Sequence, residues 1–207
     1  MFDTTVKHGS TDDVCARGTD DLMAGVRQFD EQQAYAAALD VFWTKGFRAT
    51  SMLDLAAATG VQRGSLYHAY GGKEQLFLRL FEQFANDFLA KAAEALTPSD
   101  PREALLRFFD CCIASITTGS PSRGCLSTRT AVEADPGAVE DAVRKLLDDL
   151  EELVFEALPA AGLTVERREA ARLVVAHTRA LAVLERVYGD PGRLRETATT
   201  LVSALVR

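Results

Sequence analysis

No run of about 18 apolar residues, the length a membrane-crossing helix needs, occurs anywhere in the 207-residue chain. The first thirty residues also lack the basic start and apolar stretch of a secretory signal, so a cytoplasmic protein is expected. Cysteine is scarce. Cys15, Cys111, Cys112 and Cys125 show neither CxxC spacing nor a neighbouring histidine cluster, which argues against a zinc site or a disulfide framework and leaves four thiols. The familiar catalytic signatures are missing as well: there is no G-x-S-x-G, no phosphate loop, no dinucleotide fingerprint and no H-E-x-x-H. Adjacent Cys111 and Cys112 would project about 100° apart on a helix, so they cannot chelate from one face. The chain is expected to be no enzyme and to carry no cofactor or metal. Excess basic charge is also absent. A net charge of −7 argues against general coating of nucleic acid or of an anionic membrane, while leaving room for a local basic surface.

What the sequence does have is helical periodicity. Residues 1–29 are polar and without sustained period, which suits a flexible tail. From Asp30, read as an N-cap with Gln33 three residues on, Tyr35, Ala38, Leu39 and Phe42 follow the spacing of an amphipathic helix that Gly46 stops. Thr50 and Ser51 open a short second helix ending near Gly60, and a third runs from about Gln62 to His68. Downstream, Phe77, Leu80, Phe81, Phe84 and Phe88 form one stripe, and Leu105, Phe108, Phe109, Cys112 and Ile116 another, broken by "TPSDP" at 97–101. A loop at 118–124, a segment opening at Cys125, a long helix through Val143 to Val154 and two final helices, about Val165 to Tyr188 and Arg193 to Val206, complete the chain. Nothing alternates with period two for long, and the 47% hydrophobic content supplies a sizeable core. The expected fold is all-α.

Two short helices joined by "ATGV" fit a helix-turn-helix, because the glycine permits the tight reversal and the alanines permit close approach. Val61, Leu66 and Tyr70 face inward in this reading, leaving Gln62, Arg63, Gly64 and Ser65 at an exposed helix N-terminus that favours phosphate. Gly64 costs about 1 kcal/mol of helix stability relative to Ala, so a close external approach would account for it. Lys73 opens the next helix, where the dipole disfavours a cation unless an outside anion sits there. Between Trp43 and Arg79, five cations stand against Asp54 and Glu74, a local +3 that leaves −10 to the remainder. Such a protein would meet DNA with one face only.

"ALDVFWTKGFRATSMLDLAAATGVQRGSLYHAYGGKEQLF", residues 37–77, resembles the DNA-binding domain of the TetR family of bacterial transcriptional regulators. It departs from the family pattern at Tyr70, where Phe is frequent, and at Gly72. The resemblance implies an N-terminal three-helix domain with a helix-turn-helix at 30–76, a helical ligand-binding and dimerisation domain at 77–207, and a homodimer on a palindromic double-stranded operator. It implies DNA contacts from Arg48, Thr50, Gln62, Arg63, Gly64, Ser65, Tyr67, His68 and Lys73, and repression relieved by a small-molecule inducer. A weaker similarity continues through "RGCLSTRTAVE" and "GDPGRLRETATTLVSAL".

For the inducer, the sequence offers an apolar pocket between the helix from Lys73 to Leu96, the Phe108 to Ile116 stripe and the segment at Cys125. Its expected walls are Phe84, Phe88, Phe108, Phe109, Cys112, Ile116 and Cys125, with Phe155 and His177 opposite. Arg172, Val175, Arg179, Val183 and Arg186 lie either at a dimer seam or in water. Two alternatives stay open at this point: a thiol-based sensor at Cys125, where Arg123 and a helix N-terminus would lower the thiol's pKa, and a small-molecule carrier that does not bind DNA.

Overall fold

The computed structural model describes residues 19–119 and 122–207. Nine α-helices follow one another within them: α1 (Thr19–Lys45), α2 (Met52–Thr59), α3 (Arg63–Tyr70), α4 (Lys73–Ala95), α5 (Pro101–Thr117), α6 (Leu126–Glu133), α7 (Ala138–Ala157), α8 (Arg167–Tyr188) and α9 (Pro191–Leu205). The all-α expectation holds among the described residues, where β pairing is limited to an isolated bridge between Leu163 and Val206.

Local chemistry explains most boundaries. Ser51 and Asp54 form a reciprocal capping box at the start of α2, and Gly60 closes that helix at φ 69°, in the left-handed region. The break expected at 97–101 and the stretch before the last helix both prove to be helix starts. Asp100 and Asp190 each accept backbone N–H groups as N-caps, with Pro101 and Pro191 in the first helical turn, where a missing N–H costs nothing. The last helix therefore begins two residues earlier than Arg193.

One boundary needs correction. Asp30 is not an N-cap but lies inside α1, which starts at Thr19, so residues 19–29 are helical backbone rather than tail. Residues 1–18, including Cys15, lie outside the described residues.

Helix α4 ties the molecule together. Near its start it packs on α1 and α3, and further along it packs on α5 and α7. Phe77 stands edge-on to Phe42 at 5.0 Å and stacks on Phe81 at 5.5 Å, so an aromatic chain runs from the end of α1 along α4. The expected boundary at 76/77 thus falls within α4, between two buried residues, Leu76 and Phe77. In the C-terminal half, α5 packs on α8 and α9, and α7 on α8. The chain end is fastened by Thr164 and Arg207, which donate their N–H groups to Leu205 and Gly162 respectively, both at 2.9 Å.

Candidate nucleic-acid interface

Helix α3 buries Leu66 alone and rests Tyr70 partly on the core, as does Val61 in the turn before it, so nearly all the helix's polar side chains face out. Gln62, Arg63, Gly64, Ser65, Tyr67 and His68 are all exposed, as the sequence indicates. Gln62 occupies the N-cap without capping through its side chain. The first N–H groups of α3 are consequently available to an outside acceptor, in contrast to the capped α2 beside it. Arg63 extends over the Tyr67 ring at 5.4 Å, a cation–π contact that orients the guanidinium along the exposed face. A Cβ placed on Gly64 would meet nothing within 4 Å, and Gly64 has no positive φ. Nothing in the free chain calls for glycine there.

The other expected DNA contacts are placed differently. Thr50 is only 2% exposed and donates its hydroxyl proton to the Gly46 carbonyl at 2.6 Å, so it fastens the α1–α2 loop and has no proton to give a phosphate. Its expected role is corrected accordingly. Lys73 is half-buried; its Nζ donates to the Phe47 carbonyl at 3.0 Å and lies 4.6 Å from the Phe47 ring centre, which offsets its unfavourable place at a helix start. Nζ also donates to the Arg48 carbonyl at 3.4 Å, so of the three ammonium donors two are engaged within the chain and a third N–H remains. Arg48 is exposed but turns away from α3 to pair with Asp135 at 2.8 Å, beyond the end of α6.

That contact belongs to a junction that sequence reasoning missed. Arg129 on α6 donates to the carbonyls of Trp43, Thr44 and Lys45, the last turn of α1, at 2.7 to 3.0 Å. Its Nε holds Glu133, whose carboxylate also accepts the Arg48 N–H. Gly46 makes room for this arrangement: at φ 84° it is in the left-handed region, and a Cβ there would strike the Glu133 carboxylate at 2.3 Å. Trp43 reaches the same neighbourhood, donating Nε1–H to the Gly124 carbonyl at 3.1 Å. Only the i,i+4 spacing of Arg129 and Glu133 was visible beforehand, and that spacing says nothing about contact with α1.

The expected inducer walls separate. Phe84 and Phe88 border an opening of about 890 Å³ between α1, α4, α5 and the loop before α6, but Phe108, Phe109, Cys112, Ile116, Cys125, Phe155 and His177 do not. Phe108, Phe109, Cys112 and Ile116 form the fully buried face of α5, while its other face, carrying Cys111, Ala114 and Ser115, lines the opening. Period 3.6 reveals which residues share a face, not which face meets a void. Phe155 is held between Arg167 and Arg168, 4.1 and 3.7 Å from its ring centre. His177 stands edge-on to Phe109 at 5.5 Å; its Nε2 is buried without a partner, and burial lowers its pKa.

Cys125 is the N-cap of α6, with the Thr128 N–H 3.4 Å from its sulfur. Burial pushes this thiol up, yet the charge of Arg179 and the hydrogen bonds from Ser127 and Thr128 outweigh it, so the pKa is lowered. The cation is Arg179, bound to Ser127 at 2.6 Å, rather than the expected Arg123. Arg123 pairs instead with Asp40. Cys112, by contrast, is pushed far up by burial.

Comparison with known proteins places these features in a family. Residues 34–80 match the model described as bacterial regulatory proteins, tetR family. The chain is 28% identical to the HTH-type transcriptional repressor ComR of Escherichia coli over 56% of its own length and 57% of ComR's. It is 25% identical to the uncharacterized HTH-type transcriptional regulator YezE of Bacillus subtilis over 86% of its length and 97% of that protein's. Among solved structures, a cysteine mutant of the TetR family regulator CifR bound to 26-bp operator DNA superposes with a TM-score of 0.75 at 24% identity, covering 84% of this chain and 95% of CifR. Residues 34–80 are thus a DNA-binding segment of the tetR family of bacterial regulatory proteins, and the rest of the chain shares the fold of the regulators it superposes on.

Proposed function

We propose that the protein is a transcriptional regulator that binds a palindromic operator as a homodimer, in the simplest case as a repressor, and that a small molecule releases it. The first turn of α3 carries this reading: an uncapped helix N-terminus, Arg63 laid over Tyr67, and a glycine that the free fold does not require. In each subunit, Gln62 to Ser65 enter a major groove, with Tyr67 and His68 beside them and the third N–H of Lys73 directed to a phosphate. Residues 30–76 read the DNA and residues 77–207 bind the ligand and the second subunit, with α4 common to both. A DNase footprint of the purified protein on genomic fragments tests this. A symmetric protected site whose half-sites are about one turn, 34 to 36 Å, apart is expected. Protection of no fragment would favour a carrier without DNA affinity.

A second reading has one observation in its favour. The Cys125 sulfur caps α6 at 3.4 Å from the Thr128 N–H and lies under the charge of Arg179, which favours the thiolate form, and addition of the thiol to an activated alkene such as N-ethylmaleimide would alter the start of α6. Operator release by N-ethylmaleimide that survives in Cys125→Ser eliminates this reading.

A further inference from the structure

The opening described above has an aromatic wall and unpaired charge. Trp43 and Phe84 meet edge to face at 5.1 Å, and Phe84 stacks with Phe88 at 6.2 Å, so successive rings form a strip of π surface along α1 and α4. The other wall is the polar face of α5, where Ala114 leaves space. At the end nearest Trp43 stands Arg123, 5.8 Å from the indole, paired through one nitrogen to Asp40 at 3.2 Å and retaining other donors. Further along α4, Lys91 and Asp87 also line the opening, both exposed and neither in an ion pair among the described residues. An ammonium with three donors and a guanidinium with spare ones therefore outnumber the one unpaired carboxylate.

We infer that the opening between α1, α4 and α5 is a binding site for a flat aromatic organic acid, whose rings lie on Trp43, Phe84 and Phe88 and whose anionic group is met by Lys91. The inference rests on the ligand-responsive reading above and names that ligand's class and place. It also supplies a route to the DNA. The site's walls are α1, whose last turn Arg129 holds, and α4, which begins beside α3. A ring inserted between Trp43 and α5 bears directly on the angle between these two helices.

Trp43 is the chain's sole tryptophan and lies within the site, so it reports occupancy. The full-length protein is titrated with 8-anilinonaphthalene-1-sulfonate and, in parallel, with its uncharged relative N-phenyl-1-naphthylamine, while energy transfer from Trp43 is followed. Both should bind with transfer, the sulfonate about three- to fivefold tighter, as a partly exposed ion pair would give. Lys91→Ala should remove that preference. Ala114→Phe should weaken both probes about tenfold or more by filling the space. Both positions are exposed, so the variants should keep wild-type helicity by circular dichroism.

Absence of transfer from Trp43, or affinities indifferent to both variants, overturns the site. Operator affinity is measured alongside. A compound that releases the operator while ignoring Lys91 and Ala114 overturns the site and leaves ligand response standing. A bound sulfonate that leaves operator affinity unchanged refutes the regulatory reading and leaves the site standing.

Discussion

Gly64 separates two demands on one residue. Glycine in a helix costs up to about 1 kcal/mol relative to alanine, less in the first turn where Gly64 sits, and the free chain gains nothing in return, since a methyl group there would meet open space. Gly64→Ala should therefore raise stability by about that amount, seen as a higher Tm, while weakening operator binding because the methyl projects toward the DNA. A variant that binds as well as wild type would show that no backbone approaches there. Arg63→Ala should cost roughly 1 to 3 kcal/mol of operator affinity and relax preference at one base position, which a competition assay with altered operators would reveal. Lys73→Ala should instead lower affinity for all sequences alike and reduce its salt dependence. His177 yields a pH prediction. Its pKa is lowered by burial, so folding favours the neutral ring; its contribution is complete above the unfolded value of about 6.5 and is lost as pH falls from there toward the lower folded value. Chemical denaturation of wild type and His177→Phe between pH 7 and 5 should show the steeper loss in wild type.

At the scale of elements, the α1–α6 junction couples the two halves. Arg129 caps the carbonyls of α1's last turn, a helix end where a cation is favourable. Arg129→Ala should cost roughly 1 to 2 kcal/mol by leaving those carbonyls to water and should shift Trp43 emission to the red as the end of α1 loosens. Unchanged emission and Tm would show that the three hydrogen bonds do not hold the junction. The contrast between this junction and α3 shows what a sequence discloses. The recognition helix was legible because its signals are local: Gly60 ends one helix, Leu66 sets the buried face, and the neighbours of Leu66 must then be outside. The junction was not, because Arg129 and Trp43 are 86 residues apart and meet only through packing. For the same reason the α5 stripe was correctly assigned to one face, yet that face is core and the opening lies behind it. The early start of α1 was hidden by weak periodicity over residues 19–29, where propensity and charge alone favour a helix.

At the scale of the whole molecule, an apolar stripe on α8 is left uncovered among the described residues. On α8, Leu173, Ala176, Ala180, Val183 and Val187 are all exposed, and their spacing of three, four, three and four residues is the seam of a helix pair. The stripe expected from sequence was different: Val175 is buried and Arg179 turns inward to Ser127, so of those positions Val183 alone belongs to this seam. Leu173, Val183 and Val187 are 45, 55 and 66% exposed, a concentration that favours burial against the same surface of a second copy, with α9 of each copy alongside to make a four-helix interface. Small Ala176 and Ala180 in mid-seam permit the two α8 helices to approach closely. A glutamate there would face its own symmetry mate in an apolar setting, where like charges both lose hydration and repel. Ala180→Glu and Val183→Glu, each outside the subunit's own core, should keep full helicity but sediment as monomers. Each should also lose operator binding at concentrations that saturate with wild type, because a lone subunit has one recognition helix and pays the full cost of association at each half-site. Dimers in both variants would move the subunit interface off α8.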